Sequence, residues 1–160
     1  MALIKVYTIV LIVFCIDQAS KYFVVHFLNL AELFRIDVLP PFLNFRMAWN
    51  QGINFGLFGS DTFFSRIILI TISIIICIGL TWWAKKTENK KTHIFLALVI
   101  GGALGNTFDR FLYGAVADFL NMSCCGIQNP FSFNIADISI FFGALGLIFT
   151  NDSGEKQSEE

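Results

Sequence analysis

Four stretches of the chain are dominated by apolar residues, and polar side chains interrupt them at particular points instead of being spread evenly. A helix crossing the roughly 30 Å hydrocarbon core of a bilayer needs about 20 mostly apolar residues. Residues 6–25, 63–84, 94–111 and 135–150 reach or approach that length, so the pattern predicts four transmembrane helices. The third and fourth are shorter as apolar runs, because Asn106, Asp109 and Arg110 end one while Asn134 and Asp137 begin the other. A polar residue at membrane depth is expensive unless it faces protein or a wet cavity, and by default it marks function. Between the first two spans, Phe45, Met47 and Trp49 alternate with Asn44, Arg46 and Ala48, the period of a strand with one apolar face. Pro40-Pro41 bars a helix from running into it. A small β-sheet on the membrane surface is expected there, its apolar face extended by Phe55, Leu57 and Phe58.

Orientation follows from lysine and arginine in the short connections. Lys85, Lys86, Lys90 and Lys91 follow the second span, whereas Arg35 and Arg46 are the only such residues between the first and second. The lysine loop is therefore expected to be cytoplasmic, together with both termini. Segments 26–62 and 112–134 then lie on the outer, periplasmic face. Lys5 ahead of an apolar stretch suggests a secretory signal, but no small-x-small cleavage site follows, and Asp17 and Lys21 interrupt the run. The first span is expected to be retained, and the acidic tail 151–160 to be a solvated, disordered end. The expected fold is mainly α, a single integral membrane domain over 1–160 with four transmembrane helices and a small β-sheet.

Composition narrows the class further. Of the 160 residues 56% are apolar and only 14% charged, against about 45–50% and about 25% in soluble globular domains. That excludes an ordinary soluble domain and a disordered chain. The net charge of −1 leaves no basic field for nucleic acid. Cys15, Cys77, Cys124 and Cys125 have neither the spread pairing of a disulfide framework nor a Cys-x-x-Cys metal spacing, and Cys124-Cys125 is taken as incidental. His26 and His93 are expected near opposite faces of the membrane, too far apart for a shared metal site or a common Ser-His arrangement. Gly101-Gly102-Ala103-Leu104-Gly105 has no preceding strand and no Lys-Ser/Thr, which points to close helix packing and not to a phosphate loop.

The polar residues with chemistry fall near the outer ends of the spans. Asp17 and Lys21 stand at i, i+4 on one helical face and can pair; Asn106 and Arg110 have the same spacing, with Asp109 between them. Asp118 and Asp137 each sit in an apolar neighbourhood with no cation adjacent in sequence. A buried unpaired carboxylate shifts its pKa instead of staying charged. If the fold joins these two, repulsion lets them share a proton, one acting as base on water and the other donating to a carbonyl. The same residues also fit carboxylates that cap helices, a proton path in a transporter, or polar contacts that only bind helices together.

The order and spacing of four blocks discriminate among these. They are Asp17-Gln-Ala-Ser-Lys21; Asn50-Gln-Gly52-Ile-Asn54-Phe55-Gly56; Gly102-Ala-Leu-Gly-Asn106-Thr-Phe-Asp109-Arg110 running on to Gly114-Ala-Val-Ala-Asp118-Phe119; and Phe133-Asn134-Ile-Ala136-Asp137. Over nearly its whole length the chain resembles the lipoprotein signal peptidase, or signal peptidase II, family. Asn54 departs from the small residue usual there. The resemblance implies an intramembrane aspartic endopeptidase of the bacterial inner membrane. Its substrates would be prolipoproteins, cut before a diacylglyceryl-modified cysteine among membrane lipids, with no metal or organic cofactor. Asp118 and Asp137 match the catalytic pair. Asp17, Lys21, Asn50, Gly52, Asn106, Asp109, Arg110, Asn134 and Ala136 match positions that bind substrate or support the pair.

Overall fold

The computed structural model describes residues 2–52, 62–124, 126 and 129–155. Helix α1 (Ala2–Lys21) runs without a break into a π-helical segment, Tyr22–Phe27, and a short α2 (Leu30–Leu33) follows. Strands β1 (Arg35–Leu39) and β2 (Leu43–Asn50) flank the turn that holds Pro40 and Pro41. Then come α3 (Thr62–Lys86), α4 (Lys90–Tyr113), β3 (Val116–Met122) and α5 (Ile135–Glu155). Leu3–Phe27, Phe63–Lys86 and Lys90–Tyr113 are each long and apolar enough to cross a membrane. In α5 the apolar stretch is the shorter Ile135–Thr150, although its 21 residues make a helix about 30 Å long.

The helices overrun the apolar windows because propagation adds one hydrogen bond per residue whatever the side chain. Helix α4 begins at Asn89, whose side chain accepts from the Lys91 and Thr92 N–H groups at 2.9 and 3.4 Å. It ends at Gly114, whose φ of 81° is the left-handed cap that glycine adopts without strain. Residues 151–155 are helical where a disordered tail was expected, and 156–160 lie outside the described residues.

Helix α4 is central and packs against α1, α3 and α5. The glycines of the 101–105 run permit this, as expected. A Cβ on Gly101 would lie 2.8 Å from Val13 Cβ on α1, and one on Gly102 would lie 2.5 Å from the Ala136 carbonyl oxygen on α5. Large apolar side chains such as Leu11, Ile75, Ile78, Phe141 and Phe149 point outward from the helices, as a lipid-facing surface requires.

The sheet is antiparallel in the order β1-β2-β3. Ile36, Phe45 and Leu120 are paired across the three strands and pack on buried Val24, Leu30 and Phe119. This is the expected apolar face, and it sits on the π-helical extension of α1. A bulge between Phe45 and Ala48 breaks the simple alternation: Met47 still reaches the core cluster, Trp49 is exposed, and Asn44 on the central strand is buried. Phe55, Leu57 and Phe58, expected to extend this face, lie outside the described residues, as does Asn54.

His26 and His93 lie at opposite ends of α4, as expected. The His26 ring is 6.3 Å from that of Tyr113, while His93 Nε2 is 2.9 Å from the Ala84 carbonyl oxygen. One cysteine expectation is corrected: Cys124 is disulfide-bonded, while Cys15 and Cys77 are free and Cys125 lies outside the described residues. Disulfide pairing depends on where a loop brings its sulfur atoms, which spacing alone does not encode.

Candidate active site

The site is built where the last turns of α1 and α4, strand β3 and the first turn of α5 meet. Lys21, five per cent exposed, occupies its base. Its Nζ lies 2.7 Å from Asp17 Oδ2 and 2.8 Å from Asp109 Oδ2, and donates to Asn106 Oδ1 at 3.1 Å. The i, i+4 pairing of Asp17 with Lys21 is therefore present, and Asp109 pairs with the same lysine across the helix interface. Asp17 also accepts the Ala136 N–H through Oδ1 at 2.9 Å, tying α1 to the start of α5. Ala136 contributes this main-chain donor and a methyl-sized side chain, fully buried where a larger one would meet α4.

Helix α5 opens on a reciprocal cap. Asn134 Oδ1 accepts from the Asp137 N–H at 2.9 Å, and Asp137 Oδ2 accepts from the Asn134 N–H at 3.1 Å. With Asp17 on the Ala136 N–H, three main-chain donors at this helix start are satisfied. The cap leaves the Asn134 amide NH₂ free to turn inward, where it donates to Asp118 Oδ1 at 2.6 Å and to Asn106 Oδ1 at 3.1 Å. The Asn106 amide in turn donates to Asp137 Oδ1 at 2.8 Å. Asp118 and Asp137 are thus bridged by two asparagines. The capping role weighed for these carboxylates is real for Asp137, and it leaves Oδ1 for other work.

Asp118 is carried by β3 opposite Ala48, and Asn50, two residues along β2, donates to Asp118 Oδ2 at 3.0 Å. Asn50 Oδ1 accepts from the Gly52 N–H at 2.9 Å, with Gly52 at a φ of 94° that favours glycine. Burial and the neighbouring Asp137 charge push Asp118 from the ordinary 3.8 up to about 6, against the hydrogen bonds from Asn50 and Asn134 that lower it. Arg110 feels the charges of Asp118, Asp137 and Asp109. Its Nη1 donates to the main-chain oxygen of Asn106 at 3.3 Å, not to the Asn106 side chain, and its buried Nε has no hydrogen-bond partner among the described residues. Asp17, Asp109, Asp118 and Asp137 set four carboxyls around the two cations Lys21 and Arg110.

Sequence reasoning missed Gln18. Its amide donates to Asp17 Oδ2 at 3.1 Å, to Asp109 Oδ1 at 2.9 Å and to the Gly105 carbonyl at 3.3 Å. An amide beside Asp17 in an apolar run was the available signal. The residues matched to the catalytic pair and its supporting positions, Asp17, Lys21, Asn50, Gly52, Asn106, Asp109, Arg110, Asp118, Asn134, Ala136 and Asp137, lie in or directly beside this network.

Comparison with known proteins bears on the whole arrangement. A family model described as signal peptidase (SPase) II matches residues 9–151. A lipoprotein signal peptidase of Pelagibacter ubique is 41% identical over 143 residues, 88% of this chain and 82% of the relative. One of Methylobacterium radiotolerans is 37% identical over 147 residues, 90% and 83% of the two chains. Among solved structures, a bacterial membrane enzyme determined by the in meso method at 1.9 Å superposes with a TM-score of 0.77 at 30% identity, covering 91% of each chain. A second, at 2.3 Å, gives 0.76 at 29% identity, covering 98% of this chain and 93% of its own.

Proposed function

The chain belongs to the signal peptidase II family, membrane proteases that remove signal peptides from lipoproteins, and from that premise we propose an aspartic mechanism on Asp118 and Asp137. The observation that carries it is the double asparagine bridge, which holds two carboxyls of different environment at one end of the helix bundle. Asp118, raised to about 6 by burial and by Asp137, carries the shared proton and donates it to the scissile carbonyl oxygen. Asp137 takes a proton from water as the water oxygen attacks the carbonyl carbon, giving a tetrahedral diol. Collapse breaks the C–N bond with proton transfer to the leaving amine. The products are the signal peptide carboxylate and the free amine of the new N-terminal residue.

The bond cut is the one before a diacylglyceryl-modified cysteine. In a bilayer the substrate's chains are already in lipid, so moving them against protein gains little net apolar burial. What the lipid supplies is depth: its glyceryl head holds the cysteine at the interface, where β3 and the start of α5 present the two carboxyls. Lys21, Asp17, Asp109 and Gln18 hold α1, α4 and α5 in register behind the pair. Asn50, Gly52 and Arg110 are assigned to substrate contact beside the pair.

The test is cleavage of a diacylglyceryl prolipoprotein by the purified protein in detergent. Asp118→Asn and Asp137→Asn should each lower turnover by about 10²–10⁴-fold or more while the protein remains folded, and the double variant should be no worse than the singles. A prolipoprotein with an unmodified cysteine should turn over far more slowly at saturation, not merely bind less well. Substantial turnover by either single variant removes the pair from the mechanism, and equal turnover of the two substrates removes the lipid from the reading.

A further inference from the structure

Beside the buried Lys21 cluster, a cavity of about 210 Å³ opens between the end of α1, its π-helical extension, the last turn of α4 and strand β2. Neither Asp118 nor Asp137 lines it. Four aromatic side chains form a continuous wall. Ring centroids are 5.6 Å apart for Tyr22 and His26, 6.3 Å for His26 and Tyr113, and 5.6 Å for Tyr113 and Trp49. Successive planes are tilted by 43°, 42° and 51°, so the rings curve around the opening instead of stacking on one another. Lys21, Asp109 and Gln18 are at the back.

The chemistry of that lining decides the sign of a ligand. The Lys21 ammonium is already engaged: it donates to Asp17 and Asn106 and pairs with the Asp109 carboxylate at 2.8 Å. An anion would find that ammonium already neutralised by carboxylates, and it would face the Asp109 carboxyl that lines the cavity. A cation would meet aromatic rings, which attract it through the ring quadrupole, and the Asp109 carboxylate at the back. The cavity also has an apolar neighbour. It shares Phe108 with a groove of about 480 Å³ on α1, α3 and α4 that is lined by Leu11, Phe14, Ile70, Ile74 and Phe111. A cation-accepting pocket beside an apolar groove, at the depth of an interfacial Trp/Tyr belt, matches the shape of an amphiphile.

We infer that this cavity binds the ammonium of a zwitterionic phospholipid headgroup, with an acyl chain of the same lipid lying in the adjoining groove. At about 30 Å³ per water in the liquid, the volume equals about seven waters, room for an ethanolammonium or a trimethylammonium group.

The experiment is lipid retention by the full-length protein, read by native mass spectrometry. Phosphatidylethanolamine and phosphatidylglycerol of identical chains compete for the protein, and tetramethylammonium is added in a separate arm. Wild type should retain the ethanolamine lipid about fivefold to tenfold better. Trp49→Leu with Tyr113→Leu should bring the ratio within about twofold of unity, while Trp49→Phe with Tyr113→Phe keeps it. Tyr22→Leu, at an exposed position on the rim, should lower it in a variant that leaves the core untouched. Equal retention of the two lipids by wild type overturns the proposal, as does a preference unchanged by the leucine variants. Tetramethylammonium binding without any lipid preference overturns it too, since the cavity would then select a solute and not a headgroup.

Discussion

At the residue scale, the informative feature is that each oxygen of the two carboxyls has its own donor. Asp137 gives Oδ2 to the helix cap and Oδ1 to Asn106, while Asp118 gives Oδ1 to Asn134 and Oδ2 to Asn50. Hydrogen bonds donated to a carboxylate favour its charged form, so the Asn50 amide opposes the rise of Asp118 to about 6. If protonated Asp118 is the acid, kcat/KM falls as pH rises through that value, because the proton is lost above it. Removing the amide removes a stabiliser of the charged form and moves this alkaline limb upward. A pH profile of Asn50→Ala against wild type on a lipidated substrate checks the sign. The limb reports the pair as a unit and not one aspartate, but a downward shift in the variant would contradict the assignment of the proton to Asp118.

At the element scale, the first turn of α5 is positioned by contact with α4, and Gly102 sets the separation. Adding one methyl there places a carbon 2.5 Å from the Ala136 main-chain oxygen, which backbone cannot yield without moving the helix that carries Asn134 and Asp137. Gly102→Ala should therefore destabilise by about 1–3 kcal/mol through overpacking and should depress activity with it. Gly79 on α3 is a matched control, since a Cβ there meets nothing within 4 Å. Gly79→Ala should be neutral or gain about 0.5–1 kcal/mol from the helix interior. Thermal unfolding of both variants in one detergent decides the point, and equal shifts for the two would mean that the α4–α5 contact does not govern this site.

At the scale of the whole molecule, the bundle has chemically different ends: the sheet and the carboxyl cluster at one, and the α3–α4 turn with Lys85, Lys86, Lys90 and Lys91 at the other. The lysine bias predicts that the second end faces the cytoplasm. A membrane-impermeant thiol reagent applied to intact cells should then label a cysteine introduced at Asp37 on β1, and spare one at Glu88 in the α3–α4 turn. Reversed labelling would put the carboxyls on the side that a translocated substrate does not reach.

Much of this architecture is legible in the chain because it is local. An apolar run of span length and an alternation over residues 44–49 each require only neighbours a few positions apart, and the Asp17–Lys21 pair is four residues long. The four ordered blocks brought the family into view on the same basis. What no local pattern holds is which polar groups meet. Asp17 caps a helix 119 positions away, Asn134 reaches Asp118 and Asn106 across two other elements, and Gln18 joins Asp109 from 91 positions back. Spacing pointed Asp109 toward Asn106 and Arg110 on its own helix, but the α1–α4 interface gives it to Lys21. The bulge in β2 likewise leaves Trp49 exposed beside Tyr113 instead of sending it into the sheet core. Sequence determined the elements and their polar residues because burial and periodicity act along the chain. Tertiary structure decided the hydrogen-bond partners, because a buried polar group takes whichever complementary atom packing brings within 3 Å or so, and packing is a property of all the elements at once.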